Sequence, residues 1–251
     1  MQVVQPEVII IGETKLDIAA IRSYLDSIGA NEYHINLGSD PLTLITEVMG
    51  RLCYRSWQPN MNPNVTRVRQ DQVKYIQNLI DSGHGSVFEH ATVNFILQNV
   101  SRVFTHELVR HRVGTAFSQE SQRYVRLTDI PIWFPPCISY ELPVEDTKEF
   151  YKDAREVLNL QERLQQKWVD RLELVQGNFE LKKRWTSALR RYFSPTGVAT
   201  SIGFSANIRE LRHIIKMRTD SGAEEEMQIV IGEMHRQLKL RYPILFADAS
   251  S

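Results

Sequence analysis

Only two cysteines, Cys53 and Cys137, occur in the 251 residues. They are too few for a disulfide framework and point to a reducing compartment. A surplus of either charge is also missing: Lys and Arg total 30, Asp and Glu total 30, and the formal net charge is zero. Proteins dedicated to a nucleic-acid polymer or a membrane surface need a global excess of cations, so both classes are disfavoured. Any basic patch must be local, which suits a small anion. No segment approaches the ~18 consecutive apolar residues of a membrane span. The start, "MQVVQPEVIIIGETK", lacks a basic n-region, and its apolar run is short for a signal sequence. A soluble, cytoplasmic protein is expected. Internal repeats, low-complexity tracts, a "GxGxxG" fingerprint and a "GxSxG" elbow are absent too.

What is present is ordinary globular material, 42% hydrophobic and 24% charged. "EVIIIG" (7–12) reads as a buried strand and "KLDIAAIRSYLDSIGA" as a helix ending at Gly29. "QPNMNPN" (58–64) is a loop, and "DQVKYIQNLIDSG" is a helix stopping at Gly83. In "ATVNFILQ" (91–98), Val93, Phe95 and Leu97 alternate with polar residues, which predicts a strand with one polar face. Ser101 is placed to cap a following helix that carries Phe104, Leu108 and the triplet Arg110, His111 and Arg112. A proline-rich turn, "IPIWFPP", comes next. From about Val144, Phe150, Ala154, Val157, Leu158, Leu164, Trp168 and Leu172 mark a long amphipathic helix broken near Gly177. "ELKKRWTSALRR" is a further helix. The strand "GVATSIGF" then leads to the helices "ANIRELRHIIKMR" and "AEEEMQIVIGEMHRQLKL". The pattern predicts an α+β fold, with a central mixed or antiparallel sheet flanked by helices and a helical C-terminal half. Residues 1–251 are expected to form a single domain.

Three segments carry candidate chemistry. Taken alone, Arg110-His111-Arg112 is by default a solvated cationic helix end, favoured by the macrodipole. On a helix these side chains would fan about 100° apart per residue, as a helix wedged between two ligands requires. The following "SQESQR" adds hydrogen-bonding groups suited to phosphate and ribose, and clustered arginines need an anionic partner. A phosphorylated small molecule is the better candidate. Upstream, "GHGSVFEHA" (83–91) offers His84, Ser86, Glu89 and His90. The two histidines are not at i,i+4 and no third ligand has a standard spacing, so no metal site is expected. Downstream, Arg209, His213 and Met217 form one i,i+4 row, Asn207 and Arg218 lie on a neighbouring face, and Ile208, Leu211 and Ile215 form an apolar stripe.

In this order and separation, "GHGSVFEH", "RHRVGTAFSQESQRY" and "NIRELRHIIKMR" resemble the flavin-dependent thymidylate synthases, from about Arg51 ("GRLCYRS") to about residue 235. The resemblance implies that family's fold and its reductive methylation of deoxyuridine monophosphate (dUMP) to thymidylate. Methylenetetrahydrofolate gives the carbon, and FAD reduced by NADPH gives the hydride. It also implies a homotetramer with active sites shared between subunits. Residue by residue, Ser86, Arg110, His111, Arg112, Asn207, Ile208, Arg209 and His213 match flavin-contacting positions, and His84 matches a histidine near the flavin ring, where folate stacks. Gln119 should touch both flavin and nucleotide. Glu107, Leu108, Val109, Arg110, Glu120, Ser121, Gln122 and Arg123 match the nucleotide-binding stretch, with Arg191 given by a neighbouring subunit. Arg218 matches the arginine that faces the pyrimidine and favours its ionised form.

Departures from the family pattern are visible. The first 45 residues or so form a variable N-terminal extension. Glu107 stands where a neutral Gln is common and is expected to pair with an arginine. Gly222 replaces a frequent His. Two rival readings use the same residues: a nucleotide- or RNA-binding module without flavin chemistry, and a metal-dependent hydrolase. Bound yellow chromophore separates all three.

Overall fold

The structure, a computed structural model, describes residues 2–124 and 131–249. In chain order its elements are β1 (Gln2–Val3), β2 (Glu7–Glu13), α1 (Ile18–Ser27), α2 (Pro41–Tyr54), α3 (Gln72–Asp81), a 3-10 turn (Gly85–Glu89), β3 (Thr92–Ser101), α4 (Arg102–Leu108) and β4 (Thr115–Gln119). There follow β5 (Pro131–Ile132), α5 (Cys137–Glu141), α6 (Val144–Glu173), α7 (Phe179–Tyr192), β6 (Ala199–Asn207), α8 (Ile208–Arg218), α9 (Glu225–Arg241) and α10 (Pro243–Phe246). One sheet has the order β2-β3-β6-β4, and β1 pairs in parallel with β5. The fold is α+β, and after β5 only β6 interrupts the succession of helices. Val125, at the end of the arginine-rich segment, and Ile130, at the start of the proline-rich turn, lie outside the described residues.

The chain divides into two compact units. The first comprises Met1–Glu7, Leu97–Arg110 and Ser118–Ile202; the second comprises Val8–Ile96, His111–Phe117 and Gly203–Ser251. In the first unit α6 packs along α7, and Gln165 donates to the Phe193 carbonyl at 3.2 Å. The apolar stripe predicted for α6 is only partly covered: Leu158 is buried and Phe150, Ala154, Leu164 and Leu172 are half-buried, while Val157 is 55% and Trp168 is 45% exposed.

The second unit holds most of the core. Strand β3 alternates as its sequence predicts: Val93 and Phe95 are buried in this unit, and Leu97, where the strand passes into the first, is buried too. The α8 stripe of Ile208, Leu211 and Ile215 is fully buried, and α8 packs against α9. Asp17, Asp40 and Asp71 cap α1, α2 and α3 by accepting from main-chain N–H groups three residues on, which fixes where each helix begins.

Helix α2 has no counterpart in the apolar pattern, because it is buried nearly all round and Thr43, Thr46, Glu47 and Arg51 are buried along with Leu42, Leu44, Ile45 and Val48. Arg51, 1% exposed, donates to the Glu47 carboxylate at 2.7 Å and to the carbonyls of Ser56 at 3.0 Å and Arg69 at 2.8 Å. Gln72 donates to the other Glu47 oxygen at 2.6 Å. The guanidinium lies over the rings of Tyr75, at 4.3 Å, and Tyr33, at 5.0 Å. Burial pushes the Tyr75 hydroxyl up to about 12, against the lowering effect of Arg51, so the ring faces the cation in its neutral form. One arginine thus ties α2 to α3 and to the loop between them.

The helical placement of Arg110-His111-Arg112 requires correction: α4 ends at Leu108. The Arg110 N–H closes onto the Glu107 carbonyl at 3.3 Å, tightening the final turn. The His111 carbonyl is taken by the Thr115 hydroxyl at 2.6 Å, a local bond that competes with helix continuation. Gly114, at φ +66°, then turns the chain into β4, a strand the pattern did not reveal. The triplet still splays, but as coil: Arg110 and Arg112 are exposed and His111 is buried.

Breaking the buried pair of α2 leaves an uncompensated charge, for which about 3–5 kcal/mol is typical. Arg51→Leu should lower stability by that order in urea unfolding, and Arg51→Leu combined with Glu47→Leu should recover part of it. A double variant worse than the single would show that Glu47 contributes more through its bond from Gln72 than it costs as an unpaired charge.

Candidate active site

The second unit gathers the three sequence segments at Asn207. Its side chain caps α8, accepting from the Glu210 N–H at 2.9 Å. Its own N–H donates to the Gly114 carbonyl at 3.0 Å, and the next N–H, of Ile208, donates to the Ala91 carbonyl at 2.9 Å. Gly114 is required there, because a Cβ on it would run into the Asn207 amide.

Around this junction lie the charged groups of α8. Arg218, at its last position, donates from Nε to His111 Nε2 at 3.0 Å. On the other side of the ring, His111 Nδ1 is 3.4 Å from Glu210 Oε1. Burial raises the Glu210 pKa, while His213 and Arg209 pull it down. The His213 ring meets His111 edge to face at 6.3 Å between centroids. His111, Glu210 and His213 bring three potential metal ligands within 4.8 Å of one another. Coordination through His111 Nδ1 would require moving its proton to Nε2, where the Arg218 N–H already points. As arranged, His111 accepts from Arg218 through one ring nitrogen and faces Glu210 with the other.

A second group surrounds the 3-10 turn. Arg209 crosses over Gly85, where a Cβ would come within 2.9 Å of the guanidinium, and it pairs with Glu89 at 2.5 Å. Ser86 is exposed beside it on the same turn. His84, just before the turn, stacks on Tyr54 with 5.4 Å between centroids and 17° between planes. Both residues line a cavity of about 350 Å³ whose wall also includes Arg51, Arg67 and Arg69.

The first unit holds the remaining predicted residues. Gln119 donates to the Thr105 hydroxyl at 3.0 Å. Glu120 bonds to Ser201 by main chain and carboxylate, at 3.0 and 3.1 Å. Ser121 Oγ accepts from the Arg123 N–H at 3.3 Å, and Gln122 donates to Ser194 Oγ at 2.8 Å, beside the end of α7 where Arg191 sits. Arg123 and Arg191 are exposed. Leu108 is fully buried, main chain included, and Val109 is 37% exposed. Glu107 is half-buried.

Residues 39–244 match the family model described as thymidylate synthase complementing protein. Relatives from Mycobacterium avium and Mycobacterium tuberculosis, both named flavin-dependent thymidylate synthase, are each 34% identical over 206 residues, covering 81% of this chain and 78% of theirs. The chain belongs to the flavin-dependent thymidylate synthase family. A crystal structure of a UMP/dUMP methylase, PolB from Streptomyces cacaoi, bound with 5-Br UMP, is similar at TM-score 0.67 and 14% identity over 98% of this chain and 95% of that one. At that identity the likeness speaks for the fold.

Within this family member, two neighbours of the predicted residues escaped sequence reading. Glu210 had a legible signal: Asn207-x-x-Glu210 has capping-box spacing at a strand-to-helix junction. Tyr54 had none, because only folding brings it to His84, 30 residues away.

Gly114→Ala should test the junction against Gly29→Ala. Both glycines have positive φ, but a Cβ at Gly29 meets nothing within 4 Å. The left-handed backbone alone costs roughly 1–2 kcal/mol. Gly114→Ala should exceed that in urea unfolding, and equal losses would show the Asn207 contact to be unimportant.

Proposed function

We propose that the chain catalyses reductive methylation of dUMP to thymidylate, with methylenetetrahydrofolate as carbon donor and FAD, reduced by NADPH, as hydride source. The observation that carries this reading is the family match over residues 39–244, which spans all three segments that meet at Asn207. The donor set fits a dinucleotide flavin. Arg112 and Arg209 offer exposed guanidinium groups to phosphate, Ser86 a hydroxyl, and the stacked His84–Tyr54 pair an aromatic wall. When bound, FAD supplies the hydride; the protein binds, orients and polarises.

Arg218 faces the pyrimidine in this reading and stabilises negative charge as it develops on the ring, a preorganised electrostatic role. Ser121, Arg123 and Arg191 hold phosphate and sugar. A nucleophilic role for Ser121 lacks support, since among the described residues its hydroxyl is bonded to the Arg123 main chain and to no activating base. Residues 1–251 act as one catalytic domain with 1–45 as a variable extension, in the cytoplasm. Exposed apolar side chains on α6 and α7, among them Val157, Trp168 and Trp185, supply surface for a homotetramer. Among the described residues no helix is long and apolar enough to cross a membrane.

Purified protein should carry flavin absorbance that NADPH bleaches anaerobically, faster with dUMP present. Arg218→Ala should keep the flavin and lose turnover by on the order of 10²–10³. Colourless protein that takes up no added FAD would refute the flavin reading. Normal turnover in the variant would refute the role of Arg218.

Subunit sharing has its own test, sharpened by the Gln122–Ser194 bond, which brings the end of α7 to the nucleotide segment of the same chain. Arg123→Ala and Arg191→Ala should each be nearly inactive as homotetramers. Mixed tetramers should regain part of the activity, because some sites would combine an intact Arg123 with an intact Arg191 of another chain. Mixed assemblies as inactive as the parents would place both arginines in one chain.

A further inference from the structure

Arg218 is 8 residues beyond Glu210 on α8. That separation is about 12 Å along a helix axis, too far for a direct ion pair. His111, arriving from the coil before β4, fills the interval: its Nε2 accepts from Arg218 at 3.0 Å and its Nδ1 faces Glu210 at 3.4 Å. The His111 and Glu210 side chains are 7% and 12% exposed, so water competes little for either contact. We propose that Glu210 and His111 are positioning residues that form a carboxylate–imidazole–guanidinium relay, with Glu210 selecting the tautomer of His111 that holds Arg218 in one orientation. The proposal rests on the reading of Arg218 above and assigns its aim to two residues that need not touch the substrate.

The hydrogen accounting allows one neutral state. Arginine keeps its Nε–H at every relevant pH, so the nitrogen facing it must be a bare acceptor. The single ring proton of neutral His111 then sits on Nδ1, towards Glu210. The opposite tautomer would set two N–H groups against each other. A distance of 3.4 Å is long for an N–H···O bond, so the carboxylate acts more by its charge than by ideal bond geometry. Glu210 is free for this task for a specific reason. In a capping box its side chain would bond the Asn207 N–H, but that N–H is bound to the Gly114 carbonyl.

Protonation breaks the relay. Imidazolium has no acceptor for Arg218 and sets a second cation against it. Among the described residues, the charged and titratable groups around the ring are Glu210, Arg218 and His213; Arg209 acts on Glu210 and is itself held by Glu89 of the 3-10 turn. Replacing the Glu210 carboxylate by a neutral amide removes a charge that favours imidazolium, while the Arg218 cation that opposes it stays, so the ring takes up its second proton at lower pH in that variant. The acid limb of activity should then move to lower pH.

The test uses whole flavin-loaded protein labelled with 15N-histidine, the His111 signal being assigned among those of the seven histidines by its loss in His111→Asn. His111 should show a pyrrole-type Nδ1 and a pyridine-type Nε2. In Glu210→Ala that tautomer should lose its dominance, and kcat should fall about 10–100-fold, the usual cost of removing an orienting partner. Glu210→Gln can still accept from Nδ1–H, so it should restore the tautomer and most of kcat while shifting the acid limb downward. An Nε2-protonated ring in the unsubstituted protein overturns the relay. So does a Glu210→Gln enzyme as slow as Glu210→Ala with an unmoved acid limb. If the tautomer is as expected but Arg218→Ala turns over normally, the relay stands and the assigned role of Arg218 fails.

Discussion

Three main-chain and side-chain bonds at two adjoining residues organise the second unit. Asn207 ends β6, caps α8 and binds Gly114, and the adjoining Ile208 N–H binds Ala91. Each bond satisfies a group that the start of a helix or the end of a strand would otherwise leave without a partner. Together they bring residues 83–91, 111–117 and 205–222 to one place. The buried stripe of α8 holds that place from behind, since Ile208, Leu211 and Ile215 are excluded from solvent. The charged groups are consequently presented by a rigid joint, as a site that must orient its side chains requires.

Burial grades those groups. Arg209 is exposed and shares its charge with Glu89, whereas His111 and Glu210 are withdrawn from water. Electrostatic interactions strengthen as water is excluded, so the withdrawn pair has more influence on its neighbours than the exposed one. The same logic applies to Arg51 in α2, where a buried cation is fully engaged by a carboxylate, two carbonyls and two aromatic faces. That arginine shapes the wall of the cavity beside His84 and Tyr54.

Legibility followed the simplicity of the local physics. β3 was readable because one face is apolar and the other polar, and α8 because its apolar residues recur at helical spacing. α2 was hidden because it is buried nearly all round, with Thr43, Thr46, Glu47 and Arg51 among its buried apolar residues, so no single apolar stripe stands out. α4 was read too long because nothing in the apolar pattern marks the Thr115 hydroxyl as the partner that takes the His111 carbonyl. In α6 the heptad spacing was real, but only part of the stripe is covered within the chain.

By themselves, the residues of this chain determined the α+β class, the family and which side chains are candidates for the site. Those follow from periodicity, and from three motifs whose order survives in one dimension. Tertiary structure alone decided that His111 lies between Glu210 and Arg218, that Tyr54 stacks on His84, and that Gln122 meets Ser194. Such contacts join residues 30 to 107 positions apart in sequence. They depend on where the backbone turns, through Gly114 and the Asn207 cap, and no local propensity encodes a distance across the fold.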